Sequence, residues 1–81
     1  MHLTLDKVKP GQTATITAYH DSDLAAKLFE LGVLPGQQVR MVSAAPLGDP
    51  IAMLVADTLL SMRKAEAACI SVEIFHFKGK S

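Results

Sequence analysis

Several features that mark other classes of protein are scarce in this chain of 81 residues. Its single cysteine, Cys69, excludes an intramolecular disulfide and a thiolate cluster for zinc or an iron–sulfur centre. It has no tryptophan and only 5% aromatic residues, so it offers few stacking platforms for bases. Eight basic residues balance eight acidic ones, which removes the electrostatic gain that most nucleic-acid binders need. We therefore predict no nucleic-acid partner.

Long apolar runs are also missing. None approaches the roughly 20 residues that span a bilayer, and charges and a proline interrupt residues 1–10, where a signal peptide needs an unbroken apolar core. We expect a cytoplasmic protein without direct membrane insertion. The chain does have 49% hydrophobic residues against 20% charged ones, which is typical of a globular protein. Its length predicts a single domain over residues 1–81.

Residues that could bind a metal do not show the spacing of a metal site, such as paired histidines at i and i+4. The candidate ligands are His2, His20, His76, Cys69, Asp21, Asp23 and Asp49. His20 precedes a predicted helix and His76 falls in the last predicted strand, where each is an ordinary surface residue. We predict no metal ligand and no cofactor.

Catalytic patterns are absent as well. The sequence has no Gly-rich loop of the P-loop type, and Cys69 has no cation close in sequence that would stabilise a thiolate. Arg63 could in principle reach a nucleotide on a partner as an arginine finger does, but packing at a helix start or an ion pair with Glu66 is the simpler interpretation. We predict that the protein is not an enzyme.

A helix gives way to a strand near the middle of the chain. Leu24, Leu28 and Leu31 recur at helical spacing, which predicts a helix that buries all three. Gly32 can take the left-handed conformation that ends a helix, and Val33 can pack back on the last turn.

Alternation of apolar and polar residues predicts the strands. They are residues 13–19, 38–43, 51–55, 59–62 and 69–77. Asp57 and Thr58 predict the hairpin turn between the third and the fourth strand. Five short strands, with one α-helix after the first and a helical turn at residues 63–68 before the last, indicate a mainly β fold with short helices, a small SH3-like β-barrel.

Four short motifs follow one another in a specific order and spacing. They are Leu5-Asp6-Lys7-Val8-Lys9-Pro10-Gly11-Gln12, Leu31-Gly32-Val33-Leu34-Pro35-Gly36-Gln37-Gln38-Val39, Ala45-Pro46-Leu47-Gly48-Asp49-Pro50-Ile51, and Leu60-Ser61-Met62-Arg63-Lys64-Ala65-Glu66-Ala67 with Ile70-Ser71-Val72. In these motifs the chain resembles the ferrous iron transport protein A (FeoA) family over nearly its whole length. It departs from the family pattern at Asp57, where glycine is usual, and at Met62, where leucine is usual.

The resemblance implies a small cytoplasmic accessory protein of ferrous iron uptake. Such a protein would bind and modulate the membrane ferrous iron transporter (FeoB-type) through the transporter's cytosolic GTP-binding domain, by contact rather than catalysis. A metal-ion-binding or metal-sensing SH3-like module is the alternative that stays open.

Some apolar residues have no obvious place in so small a core, and clustered exposure of this kind marks a partner surface. The candidate partner-binding residues are Val33, Leu34, Leu54, Leu59 and Phe75. Their interpretation as a satellite of the core stays equally open. Uncovered strand faces would also allow a homo-oligomer.

Overall fold

The computed structural model describes residues 2–74, which form one antiparallel sheet with two short helices. The strands are β1 (His2–Thr4), β2 (Thr13–Tyr19), β3 (Gln38–Ala44), β4 (Ile51–Val55), β5 (Thr58–Met62) and β6 (Ile70–Glu73), and the helices are α1 (Ser22–Glu30) and α2 (Lys64–Ala67). The strand order is β1-β6-β2-β3-β4-β5. The predicted mainly β, SH3-like fold is confirmed, and β1, which pairs with β6, adds a sixth strand to the five expected.

The core lies on one face of the sheet and also takes in Leu24 and Leu28 of α1, Ala67 of α2 and Leu5, the first residue of a 3-10 helix at Leu5–Lys7. Alternate residues of each long strand point into it, as the two-residue period of a strand requires. The buried strand residues are Ala14, Ile16, Val39, Met41, Ile51, Met53, Val55, Met62, Ile70 and Val72. The residues between them face outward, so the outer face of the sheet is available for other contacts.

The start of α1 is fixed by a side-chain cap. The Asp21 carboxylate accepts a hydrogen bond from the Leu24 N–H at 3.0 Å, which satisfies one of the unpaired donors of the first turn. Leu24 and Leu28 are buried, as their spacing predicts. The amphipathic face of α1 is thereby held against the sheet.

At the end of α1 the side chain that turns towards the core is Val33, two residues after the Leu31 that the leucine spacing predicts. The Gly32 N–H donates to the Phe29 carbonyl at 3.0 Å and the Val33 N–H to the Leu28 carbonyl at 2.9 Å, which are the two bonds of a Schellman motif. Val33 is buried, whereas Leu31 is 59% exposed. The predicted burial of Leu31 is wrong, because it follows the last helical residue and Val33 takes its place in the core.

The turn between β4 and β5 also differs from the prediction by one residue. Val55 pairs with Thr58, so the two loop residues are Ala56 and Asp57, with φ values of 51° and 66°. Positive φ at both positions defines a type I′ turn. The prediction of a turn at Asp57 and Thr58 is one residue late, because Asp57 takes the second loop position, where glycine is usual, and alanine at the first gives no turn signal.

Two other strands differ from their predicted ends. β3 continues to Ala44, with a shift of register between Met41 and Ser43 that explains the break in its alternation. β6 begins only at Ile70, because the Cys69 N–H still closes a turn onto the Glu66 carbonyl at 3.0 Å. The predicted continuation to residue 77 lies partly outside the described residues.

Candidate partner surface

Val33 does not contribute to an exposed surface. Its side chain is only 5% exposed within the hydrophobic core, and its carbonyl accepts a hydrogen bond from the Tyr19 hydroxyl at 2.8 Å. Burial raises the pKa of Tyr19. The expectation that Val33 is exposed is therefore wrong, because the Schellman motif turns this side chain towards the interior.

Leu34, the next residue, lies at a turn that points its side chain outward. Its carbonyl accepts a hydrogen bond from the Gln37 N–H at 3.2 Å, and its own N–H donates to Gln37 Oε1 at 3.1 Å. The Gly36 N–H donates to the Ile16 carbonyl at 2.8 Å, which ties the turn to β2. Leu34 is 43% exposed on this fixed turn, so little conformational entropy would be lost when a partner covers it.

Two further exposed side chains near Leu34 were missed by the sequence reasoning. Phe29 is 49% exposed and Leu31, as noted, is exposed too. The Phe29 ring lies 5.7 Å from the Tyr19 ring, between centroids, in a tilted arrangement. The exposure of Phe29 could have been predicted from its position one residue after Leu28, which places it off the buried stripe of the helix. We call Phe29, Leu31 and Leu34 the helix-end patch.

The second exposed apolar site is on the outer face of the hairpin. Leu54 of β4 and Leu59 of β5 lie directly opposite each other and are 38% and 64% exposed. Their neighbours Met53 and Leu60 lie on the inner face, where Met53 is fully buried. The predicted placement of Leu54 and Leu59 on the face opposite Met53 and Leu60 is thus confirmed. We call Leu54 and Leu59 the hairpin pair.

A shallow open groove of about 520 Å³ runs beside the hairpin pair. Thr13, Arg40, Leu54 and Asp57 lie along it, and Arg40 is the cross-strand neighbour of both Thr13 and Leu54. The groove therefore combines apolar surface with charges of both signs, which is the composition of a protein contact with a polar rim. Phe75, the last predicted partner-binding residue, lies outside the described residues.

Several of the candidate metal ligands have structural partners. His20 Nε2 lies 2.5 Å from Ser71 Oγ, and His2 Nε2 lies 3.5 Å from a Glu73 carboxylate oxygen. Asp49 accepts a hydrogen bond from a backbone N–H of α2, as Asp21 does from α1. Over residues 2–74 no group of three or more His, Cys, Asp or Glu could hold a metal ion. His76 lies outside that range.

Cys69 and Arg63, the two candidates for chemistry, both lie at the ends of α2. Cys69 is half-buried and its Sγ lies 3.6 Å from the Ala65 carbonyl, to which it donates. The Arg63 N–H donates to the Glu66 carboxylate at 3.1 Å, and Lys27 Nζ lies 3.4 Å from the same carboxylate. These interactions lower the pKa of Glu66, chiefly through the Arg63 N–H. The described partners of Glu66 are thus the Lys27 side chain and the backbone N–H of Arg63, where the sequence suggested an ion pair with Arg63.

The family model for the FeoA domain matches residues 3–74. The chain belongs to the FeoA family. The FeoA protein of Chlorobium tepidum has a solution structure that superposes with a TM-score of 0.85 at 33% identity, over 91% of this chain and 71% of that one. FeoA of Stenotrophomonas maltophilia, a prokaryotic SH3 domain protein crystallised with zinc, superposes with a TM-score of 0.77 at 30% identity, over 88% of this chain and 89% of that one.

The FeoA domain also occurs within a longer relative. The chain is 30% identical over 80 residues to an Fe(2+) transport protein A/Fe(2+) transporter FeoB fusion protein of Porphyromonas gingivalis. The match covers 98% of this chain and spans 10% of the length of the fusion protein. FeoA domains are thus associated with ferrous iron transport. No helix within residues 2–74 is long and apolar enough to cross a membrane.

Proposed function

We propose that this FeoA-family protein is a cytoplasmic accessory of ferrous iron uptake that binds the GTP-binding cytosolic domain of the membrane transporter and modulates it. The observation that carries the proposal is the fusion protein, in which a relative of this chain and the transporter share one polypeptide. A covalent link makes a contact between two domains intramolecular, with effective concentrations in the millimolar range for short flexible linkers. When the two are separate chains, an exposed complementary surface must supply the association.

The exposed hairpin pair on the outer face of the sheet and the exposed Leu34 at the turn before β3 support this proposal. Covering exposed apolar surface gains about 25 cal/mol per Å² before the costs of association. Arg40 and Asp57 at the edge of the groove supply charges that can orient a partner. In this proposal the protein acts by contact rather than by catalysis.

Sedimentation velocity of the protein mixed with the purified GTP-binding domain tests this function. We expect a complex that sediments faster than either component, with a dissociation constant that changes between the GTP-analogue and GDP states if the contact modulates the nucleotide cycle. The same measurement on the full transporter in detergent is the second arm. Absence of a complex in both arms would overturn the proposal.

Metal binding is the second candidate function, because the S. maltophilia relative was crystallised with zinc. Anaerobic calorimetry with ferrous iron tests it on the whole chain. A stoichiometric heat at micromolar metal would support a metal-binding module, and silent titrations would remove that function. Binding to the transporter domain in the absence of metal distinguishes the two functions.

A further inference from the structure

β5 is an edge strand without the usual protection of an edge. Within the described residues it pairs only with β4, and three of its residues, Thr58, Leu59 and Ser61, are exposed. Natural edge strands are commonly blocked by lysine, proline or an inward charge, and none of these occurs in Thr58–Met62. The α1 residues Leu24, Leu28 and Leu31 line a small cleft beside Leu60, Ser61 and Met62, and the Leu59 end of the edge lies beyond that cleft.

The hairpin geometry identifies the backbone groups on the open side. In a two-residue type I′ hairpin the residues next to the loop, Val55 and Thr58, form a hydrogen-bonded pair. Such pairs alternate with non-hydrogen-bonded ones along an antiparallel ladder. Leu59 and Ser61 belong to the second kind, so their N–H and carbonyl groups point away from β4. They present two donors and two acceptors in the plane of the sheet.

The sequence around this edge is complementary to itself when it is read in the opposite direction. If two copies of β5 lie antiparallel with Leu60 opposite Leu60, then Leu59 faces Ser61 and Thr58 faces Met62. In the same register Asp57, the turn residue just before β5, lies at the end of the paired stretch next to Arg63 of the other copy. The extended backbone of Arg63, with φ −74° and ψ 150°, continues the strand direction to that position. An unlike-charge pair therefore closes each end.

We propose that β5 is the contact strand of a homodimer, in which two copies pair antiparallel about Leu60. Leu59 and Ser61 of each copy exchange hydrogen bonds, which gives four bonds across the two-fold axis. The hairpin pair of each copy then forms one apolar stripe of four leucines across the joined sheets, since Leu59 lies diagonal to its symmetry mate. This proposal does not rest on the proposed transporter contact, although both involve the hairpin pair.

The opposite charges of Asp57 and Arg63 favour a second copy of the chain as the partner that pairs with this edge. A general extended peptide would be accepted by the open backbone groups, but a second β5 segment also brings Arg63 next to Asp57 at both ends. Two five-residue edges bury less than the about 1,200 Å² above which interfaces are usually stable. We therefore expect a dimer that dissociates in the micromolar range or above.

Charge reversal at the two ends tests the register. Asp57→Lys places two cations opposite each other at both ends of the dimer, and Arg63→Glu places two carboxylates there. Each variant should dimerise more weakly than the wild type, on the order of tenfold, because like charges across a strand pair are destabilising. Sedimentation equilibrium over a range of concentrations gives the dissociation constants, and circular dichroism confirms the fold.

Mixing the two single variants is the decisive arm. Lys at position 57 of one chain then faces Glu at position 63 of the other, and the native Arg63 and Asp57 face each other at the opposite end, so a heterodimer should form where neither variant alone does. The double variant Asp57→Lys/Arg63→Glu should likewise recover dimerisation. A mixture that associates no better than its components would overturn the proposed register.

A second pair of variants tests the strand pairing itself. Ser61→Pro removes an outward N–H without breaking a bond to β4 and should abolish the dimer, whereas Ser61→Ala keeps the N–H and should not. Hydrogen exchange at the Leu59 and Ser61 amides should slow as the protein concentration rises. The proposal would be overturned if the protein stays monomeric at about 1 mM. It would also be overturned if the two amides are protected at every concentration, because another part of the same chain would then cover the edge.

Discussion

Val33 and Leu34 are adjacent in sequence but opposite in environment, and this difference decides which of them can meet a partner. Val33 lies in the core with its backbone in the Schellman motif at the end of α1. Leu34 begins the turn to β3 and is partly exposed. Mutations at the two positions should therefore separate folding from binding.

Val33→Ala should lower the free energy of unfolding by about 2 kcal/mol, because it removes two buried methyl groups and leaves a cavity beside Leu28. Leu34→Ala, the control, should change it by less than about 0.5 kcal/mol. Urea unfolding followed by circular dichroism measures both values. Equal losses at the two positions would contradict the assigned environments.

The sequence could predict that a glycine caps the end of α1, but it did not decide which apolar residue near this cap is buried. Gly32 identifies the end of α1, and the packing of Val33 on the last turn follows from the capping geometry. The leucine period, continued one step too far, also predicted that Leu31 is buried. A period holds only while the helix continues, and the helix ends at Glu30, so the outward position of Leu31 required the structure.

At the scale of elements, α2 shows how a helix of four residues is kept in place. So short a helix is unstable alone, and its first turn is held by side chains that accept backbone hydrogen bonds. Asp49, from the loop before β4, accepts from the Lys64 N–H at 2.9 Å, and Glu66 accepts from the Arg63 N–H at 3.1 Å. These carboxylates are capping groups in the structure.

Glu66 should make the stability of the fold depend on acid. Its pKa is lowered from the ordinary value of 4.5, mainly by the Arg63 N–H and further by the charge of Lys27, while burial opposes the shift. A lowered pKa in the folded state gives stability that is present above the unfolded value and is lost as the pH falls through the folded one. Glu66→Gln should therefore cost less than about 1 kcal/mol at neutral pH, and the difference should shrink below pH 4.5.

Urea unfolding at neutral and acidic pH measures this dependence. Glu30→Gln makes the same change of charge at the exposed end of α1 and is the matched control. It should show a smaller pH-dependent loss. A constant difference between wild type and Glu66→Gln across the acid range would contradict the role given to Glu66.

The alternation of apolar and polar residues predicted most strands, because a sheet with one buried face needs apolar side chains at every second position. β1 was not counted as a strand, since three residues are too few to show a period and its pairing with β6 is non-local. The hairpin turn was placed one residue late because Ala56 adopts a positive φ, which is uncommon for alanine. Local sequence signals could not supply either feature.

At the scale of the whole molecule, the helix-end patch and the hairpin pair are two groups of exposed apolar residues that arise in different ways, and Val42 and Leu47 are exposed outside both. The residues of the helix-end patch are exposed because of the way α1 terminates. The hairpin pair is exposed because its two residues lie on the outer face of the β-hairpin. Membership of the FeoA family could be recognised from ordered motifs, but the surface could only be predicted as a set of residues. The structure shows that Val33 of that set is buried and that Phe29 and Leu31 are exposed.

The contribution of the hairpin pair to transporter binding can be separated from general hydrophobicity. Leu54→Glu introduces a charge on the outer face of β4, whereas Leu47→Glu introduces it at a loop position that is 96% exposed and belongs to neither patch. We expect the first to weaken binding to the GTP-binding domain by about tenfold or more, because a buried unpaired carboxylate is costly, and the second to leave it nearly unchanged. Both variants should unfold at urea concentrations close to that of the wild type.

The most direct test of the central claim is the affinity of the protein for the transporter's GTP-binding domain, measured by sedimentation for the wild type, Leu54→Glu and Leu47→Glu. The function proposed for this FeoA-family protein predicts a complex for the wild type and Leu47→Glu that is lost or strongly weakened in Leu54→Glu. No complex for the wild type with either the domain or the intact transporter would contradict the function, and equal binding by all three proteins would contradict the surface.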